Sequence, residues 1–198
     1  MKPTTLGKKY DKIANLWQEE HGDSDYGVAQ IKNALRFRDG KGSSLDVGCG
    51  AGGRIARLLL ENGYRICGLD VSFEMIKLAS KNHPSEQFIH QDICTWDSAE
   101  KFDFIVAWDS IFHVPLHEQK SVVSKLCCLL NSDGILIYTF GNAIGEHTDE
   151  WHGDTFYYSS IGINENIQLL LDNGLTILHV ELDQYPQRHV YVIAKKAS

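Results

Sequence analysis

No stretch of this 198-residue chain is apolar for long enough to span a membrane. Its first residues, Met1-Lys2-Pro3-Thr4-Thr5-Leu6, carry a charge but lack the apolar core of a secretion signal. Excess positive charge is missing as well. Lys and Arg number 19 against 26 Asp and Glu, a formal net charge of -7. Partners of nucleic-acid backbones are usually basic, so nucleic acid is not expected as the main partner. The five cysteines are odd in number and form no C-x-x-C pair. They read as small core residues in a reducing compartment, the cytoplasm. His113 and His117 are four residues apart, but Pro115 between them breaks a continuous helix, so no metal site is expected. Repeats, low-complexity tracts and linkers are also missing. The length suits one well-buried domain over 1–198, with residues 1–40 as a helical segment and 41–198 as the core.

What is present is a regular alternation of patterns. Residues 10–20 read as a helix with Tyr10, Ile13, Ala14 and Trp17 on one face, and a second helix follows over Val28 to Phe37. Strands are expected at Ser44–Val47, Arg65–Asp70, Gln87–Gln91, Phe102–Trp108 and Gly134–Phe140. Helices fall between them, one ending at Asn62-Gly63, one from Phe73 to Lys81 and one from His117 to Leu130. Residues 141–160 read as a polar, aromatic loop, and a helix runs from Asn164 to Asp172. The apolar stretches Leu175–Leu182 and His189–Ala194 are separated by too few residues for a parallel crossover, so they pair as an antiparallel hairpin.

The organising stretch is Ser44-Leu45-Asp46-Val47-Gly48-Cys49-Gly50-Ala51-Gly52-Gly53-Arg54. A buried strand, a glycine turn and a helix start follow one another here. Glycine lets the turn visit positive φ and lets a ligand approach the backbone amides, which form an anion site at a helix N-terminus. Asp46 lies in the first strand, and Asp70 and Asp92 end the second and third. In an open parallel sheet these strand ends line one edge, where ligands bind. Asp70 is placed to accept ribose hydroxyls, Asp92 an adenine amino group, and Met75 to cover the adenine. Gly48, Gly50 and Gly53 also satisfy G-x-G-x-x-G, which leaves a nicotinamide dinucleotide as an alternative ligand.

Taken together, these motifs resemble the class I S-adenosylmethionine-dependent methyltransferases. Asp46-Val47-Gly48-Cys49-Gly50-Ala51-Gly52 is similar to the family's D/E-x-G-x-G-x-G motif, Asp70 to its ribose-binding acid, and Asp92-Ile93 to its adenine-binding pair. Phe102-Asp103-Phe104-Ile105-Val106 resembles the fourth strand, and Leu129-Leu130-Asn131-Ser132-Asp133-Gly134-Ile135-Leu136 the approach to the fifth. The resemblance spans residues 40 to 196. It implies an α/β three-layer sandwich with a seven-stranded, mostly parallel sheet in order 3-2-1-4-5-7-6, strand 7 antiparallel. The terminal hairpin is the part that a nicotinamide-binding Rossmann domain lacks. The resemblance implies S-adenosylmethionine as cofactor, held by Asp46, Gly48, Cys49, Gly50, Gly52, Asp70, Val71, Met75, Asp92, Ile93 and Trp108. Tyr10 and Trp17 on the first helix would form a lid.

The implied reaction is methyl transfer to a small molecule by in-line displacement, in which the protein aligns the acceptor and excludes water. An NAD-dependent oxidoreductase and a non-catalytic module with the same fold are the competing readings. Trp108-Asp109-Ser110-Ile111-Phe112-His113-Val114 follows the fourth strand and lacks the N/D-P-P-Y/F motif of enzymes that methylate amino groups of nucleobases or glutamine. His113 is the candidate catalytic and substrate-binding residue. His147, Trp151, His152, Tyr157 and Tyr158 are the candidate wall of the acceptor pocket. Asp46 is expected to act through the amides of the glycine turn.

Overall fold

The computed structural model describes residues 1–198. Its centre is a seven-stranded sheet built from β1 (Ser43–Val47), β2 (Arg65–Asp70), β3 (Gln87–His90), β4 (Phe102–Ala107), β5 (Leu130–Gly141), β8 (Leu175–Leu182) and β9 (His189–Lys196). The order is β3-β2-β1-β4-β5-β9-β8, with β9 antiparallel to both neighbours and the other pairs parallel. This is the expected arrangement. The last two strands take the numbers 8 and 9 because two further strands, β6 (Ile144–Trp151) and β7 (Asp154–Ile161), precede them.

Strand alternation makes the layers. Phe104, Val106, Ile135, Ile137, Tyr191 and Ile193 point to one face of the sheet and pack on α2 (Val28–Leu35) and α3 (Arg54–Glu61). Ile105, Ala107, Leu136, Tyr138, Val190 and Val192 point to the other and pack on α5 (Gln119–Leu129) and α6 (Gly162–Asp172). Each large aliphatic side chain buried this way contributes roughly 1.5–3 kcal/mol, which is why the central strands are apolar on both faces. Their C-terminal ends therefore carry the polar residues.

Two expectations need correction. The first helix, α1, runs over Pro3–His21, not 10–20. Pro3 sits in its first turn, where a missing N–H costs nothing. Residues 141–160 are not a loop. β6 and β7 form an antiparallel hairpin closed by His152 and Gly153, both at positive φ. The strand β6 is exposed along nearly its whole length and polar on both faces, so it shows no alternation. Smaller shifts affect element ends. The helix α5 starts at Gln119 because Leu116–Glu118 form a 3-10 turn after Pro115, and β5 starts at Leu130, which pairs with Phe102.

The helix α1 lies across the sheet edge that carries the ends of β1 and β2. Asp11 ties it down: its Oδ1 accepts from Ser72 Oγ at 2.7 Å and from Glu74 N at 3.0 Å, at the start of α4 (Phe73–Asn82). Gly7 permits the close approach, since a Cβ there would stand 2.1 Å from the Val71 carbonyl oxygen. Alanine favours a helix interior over glycine by about 1 kcal/mol, yet here the obstacle is backbone. Gly7→Ala is expected to lower the melting temperature by a few degrees, measured by thermal denaturation. A rise would mean that α1 does not seat on Val71.

Candidate active site

The strand ends and α1 enclose a cavity of about 600 Å³. Its floor is the glycine turn between β1 and α3. Gly48 has φ 73° and an added Cβ would stand 2.2 Å from Ser110 Cβ, so this glycine lets the segment after β4 lie against the turn. Gly50 has φ 53° and faces open space, with Trp17 Nε1 the nearest atom to an added Cβ at 3.5 Å.

The turn is stitched to β2. Gly48 N and Cys49 N donate to the Leu69 carbonyl at 2.7 and 3.1 Å, and Gly50 N donates to Asp70 Oδ2 at 2.9 Å. Ser72 N donates to Asp70 Oδ1 at 2.8 Å. These bonds correct the expected role of Asp46. The turn amides are held by the end of β2, and the Asp46 carboxyl accepts no hydrogen bond from a protein group. The amides of Gly48, Cys49 and Gly50 are also not free for an anion. Burial pushes the Asp70 carboxyl up from its ordinary value, and the Ser72 and Gly50 amides pull against that shift.

Every residue expected at the cofactor lines this one cavity: Asp46, Gly48, Cys49, Gly50, Gly52, Asp70, Val71, Met75, Asp92, Ile93, Trp108 and Tyr10. Asp92 ends β3 by turning the chain, with Oδ1 accepting from Cys94 N at 2.9 Å. Met75 is buried in the first turn of α4, whose N-terminus Ser72 caps. Trp108 is buried with its Nε1 unpartnered.

His113 closes the far end of the cavity. Its Nδ1 lies 2.6 Å from the Tyr157 carbonyl, which only accepts, so Nδ1 carries the proton. Its Nε2 is then the acceptor for Tyr10 OH at 2.9 Å. Burial pulls the imidazole down to about 4, so it is neutral near pH 7.

The other residues expected on the acceptor side do not line the cavity. His147 is exposed on β6 and stacks on Tyr158, with centroids 5.2 Å apart. Trp151 packs behind Tyr10, Trp17 and Phe156, and His152 sits in the hairpin turn 3.4 Å from Glu20. Tyr157 turns its hydroxyl outward to Glu146 Oε2 at 2.5 Å, while its carbonyl holds His113. Sequence reasoning missed the groups that meet over long separations. Asp109 after β4, Asp183 in the β8–β9 loop and His189 at the start of β9 form one ion cluster. Arg54 at the start of α3 donates from Nε to the Tyr26 carbonyl at 2.5 Å. Asp109 was findable from its place at a strand end, whereas His189 and Asp183 carry no local signal.

Comparisons with known proteins agree with this geometry. A family model described as a methyltransferase domain matches residues 21–180. The ubiquinone biosynthesis O-methyltransferase of Haemophilus ducreyi is 30% identical over 148 residues, covering 65% of this chain and 60% of that protein. A phosphoethanolamine N-methyltransferase of Caenorhabditis elegans is 26% identical over 137 residues, covering 66% of this chain and 31% of that protein. The chain thus spans about three-fifths of the length of the first curated relatives it matches. Among solved structures, magnesium protoporphyrin IX methyltransferase from Synechocystis with bound S-adenosylmethionine has a TM-score of 0.71 at 19% identity. That likeness covers 100% of this chain and 98% of that one. No helix is long and apolar enough to cross a membrane.

Burial, with the charge of Asp70 beside it, pushes the Asp46 carboxyl up to about 7. An aspartate in an unfolded chain titrates near 3.9. Between these values the folded protein keeps a proton that the unfolded chain has released. Asp46 therefore costs stability that grows as pH rises through this window and is complete above it. Asp46→Asn is expected to raise the melting temperature of the ligand-free protein by a few degrees at pH 8 and to leave it unchanged at pH 4. An equal effect at both values would show that the carboxyl is not perturbed.

Proposed function

The chain belongs to the methyltransferase-domain family, and from that premise we propose that it transfers a methyl group from S-adenosylmethionine to a small-molecule acceptor. The observation that carries the reading is the stitch from Gly50 N to Asp70 Oδ2, which holds a carboxylate beside the glycine turn at the cavity floor. The residues present fit the cofactor. The open side of Gly50 is a cradle that a Cβ would narrow. Asp70 keeps lone pairs for paired hydroxyls, Asp92 offers an acceptor one strand further out, and Met75 supplies an apolar surface near both.

When bound, S-adenosylmethionine supplies a methyl group already activated on a sulfonium. The chain's own residues then have to bind, orient and exclude water. In this reading α1 is the lid over the core at 41–198, and Tyr10 and Trp17 are its contacts with the site. His113 is the acceptor-side residue: its unprotonated Nε2, now taken by Tyr10 OH, can accept a hydrogen bond from a protic acceptor instead. Tyr157 and Trp151 act behind it, by fixing His113 and Tyr10; His147 and His152 stand further out on the hairpin. The net charge of -7 and the free cysteines fit a small-molecule acceptor and a cytoplasmic setting.

A thermal-shift titration with S-adenosylhomocysteine and NADH side by side tests the reading. A rise with S-adenosylhomocysteine alone is expected, since a ligand of the folded state stabilises it by mass action; a rise with NADH alone overturns it. Asp70→Asn is expected to weaken S-adenosylhomocysteine binding about 10- to 100-fold by calorimetry, the weight of a lost charge-assisted bond. Unchanged affinity would remove Asp70 from the ribose site. His113→Ala is expected to lower turnover more than cofactor affinity, and equal losses would make His113 part of the cofactor shell.

A further inference from the structure

Beside the acceptor end of the cavity lies the ion cluster of Asp109, His189 and Asp183. His189 Nε2 is 2.9 Å from Asp109 Oδ1 and its Nδ1 is 2.5 Å from Asp183 Oδ1. Carboxylates only accept, so each ring nitrogen carries a proton and the imidazole is a cation. Burial opposes that charge, but the two carboxylates outweigh it and hold His189 above its ordinary value. Tyr26 OH and Gln184 Nε2 complete the surround of the ring at 3.4 and 3.3 Å, and Arg54 lies beyond Tyr26, its guanidinium 5.5 Å from that ring.

Two carboxylates against one imidazolium leave the cluster with one net negative charge, and Arg54, which also lines the cavity, is attracted to Asp109. Asp109 is the member of the cluster that lines the cavity. Its backbone is fixed at φ 50° and donates to Thr139 Oγ1 at 2.8 Å, and its neighbour Ser110 is the residue pressed against Gly48. Burial is the main cause that raises Tyr10 and lowers His113, and Asp109 adds a smaller upward push on each, after Tyr158 and Asp70 for Tyr10. Asp183 is not a cavity residue.

We propose that the Asp109–His189–Asp183 cluster is a charge-selecting element, whose net negative charge favours the cationic methyl donor over its neutral product, S-adenosylhomocysteine. The inference rests on the methyltransferase reading. Donor and product share their ribose and adenine, so the hydrogen bonds that Asp70 and Asp92 would make are common to both. They differ by the sulfonium charge, which a nearby charge of opposite sign distinguishes without contact. Asp109 with His189 alone would be neutral, and Asp183 restores the charge from outside. The consequence is weaker product inhibition.

The test is calorimetric titration of S-adenosylmethionine and S-adenosylhomocysteine into the whole chain at pH 6, below the ordinary imidazole value of about 6.5. Wild type, Asp109→Asn, Asp183→Asn, Asp183→Glu and Asp70→Asn are compared. The preference for S-adenosylmethionine over S-adenosylhomocysteine is expected to fall about five- to tenfold in Asp109→Asn and in Asp183→Asn. Affinity for S-adenosylhomocysteine is expected to stay within about threefold in both, and Asp183→Glu to keep the wild-type preference. Equal losses for the two ligands, or an unchanged preference in both asparagine variants, would overturn the proposal. Asp70→Asn is expected to weaken both ligands, including the neutral S-adenosylhomocysteine that Asp109→Asn spares. An Asp70→Asn variant with wild-type affinities would count against the parent reading while leaving the charge selection standing, and wild type binding neither ligand would overturn both.

Discussion

The structure depends on the joint between β1 and β2 at their C-terminal ends. Parallel pairing leaves the Leu69 carbonyl near the end of β2 without a strand partner once β1 turns away. Here the turn itself supplies the donors, through Gly48 N and Cys49 N to Leu69 and Gly50 N to Asp70. The glycines serve the joint in two ways. Their positive φ lets successive amides point at one strand end, and their lack of a side chain lets Ser110 approach from β4. One local device therefore fixes the depth of the cavity floor, the orientation of Asp70 and the position of the segment carrying Asp109 and His113.

Charge is distributed around that floor in an ordered way. Asp46 is buried with no protein donor and is pushed toward its neutral form. Asp70 receives two amides, which keep it closer to the ionised form against the same burial. Asp109 receives an imidazolium that is itself shared with Asp183. These carboxyls thus differ in how their desolvation is offset: by the Arg54 charge without a hydrogen bond, by backbone dipoles, or by a full counter-charge. His113 follows the opposite logic. Burial without a carboxylate partner keeps it neutral and leaves its Nε2 as an acceptor, here for Tyr10 OH.

The sequence made the joint legible because its signals are local. Asp46 through Arg54 lies in one run, and the strand-end acids recur at comparable places in consecutive β–α units, so sheet order and cavity floor follow from pattern and topology. The hairpin at 144–161 was hidden for a physical reason. The residues of β6 face solvent on both sides, so no apolar period betrays the strand, although Thr155-Phe156-Tyr157-Tyr158 and the His152-Gly153 turn were a usable strand signal. The Asp109–His189–Asp183 cluster was hidden differently. Asp183 and His189 flank the turn of the β8–β9 hairpin, but Asp109 meets them only because β9 inserts between β5 and β8.

The helix α1 lines the site, and the hairpin packs behind it without lining the cavity itself. Asp154 in β7 pairs with Lys9 and Lys12 of α1, which hold its carboxyl well below the usual range. Tyr10 sits between these ion pairs and an aromatic group of Trp17, Trp151 and Phe156. Surface ion pairs contribute little by themselves, whereas edge-to-face aromatic contacts add about 0.5–1.5 kcal/mol each beyond burial. The aromatic packing therefore sets how firmly α1 is held, and the lysines set where along the helix it is held. Because Tyr10 also donates to His113, the polar end of the cavity and its apolar cover are one unit. Moving the Tyr10 ring away from His113 Nε2 disturbs the same aromatic packing that holds α1.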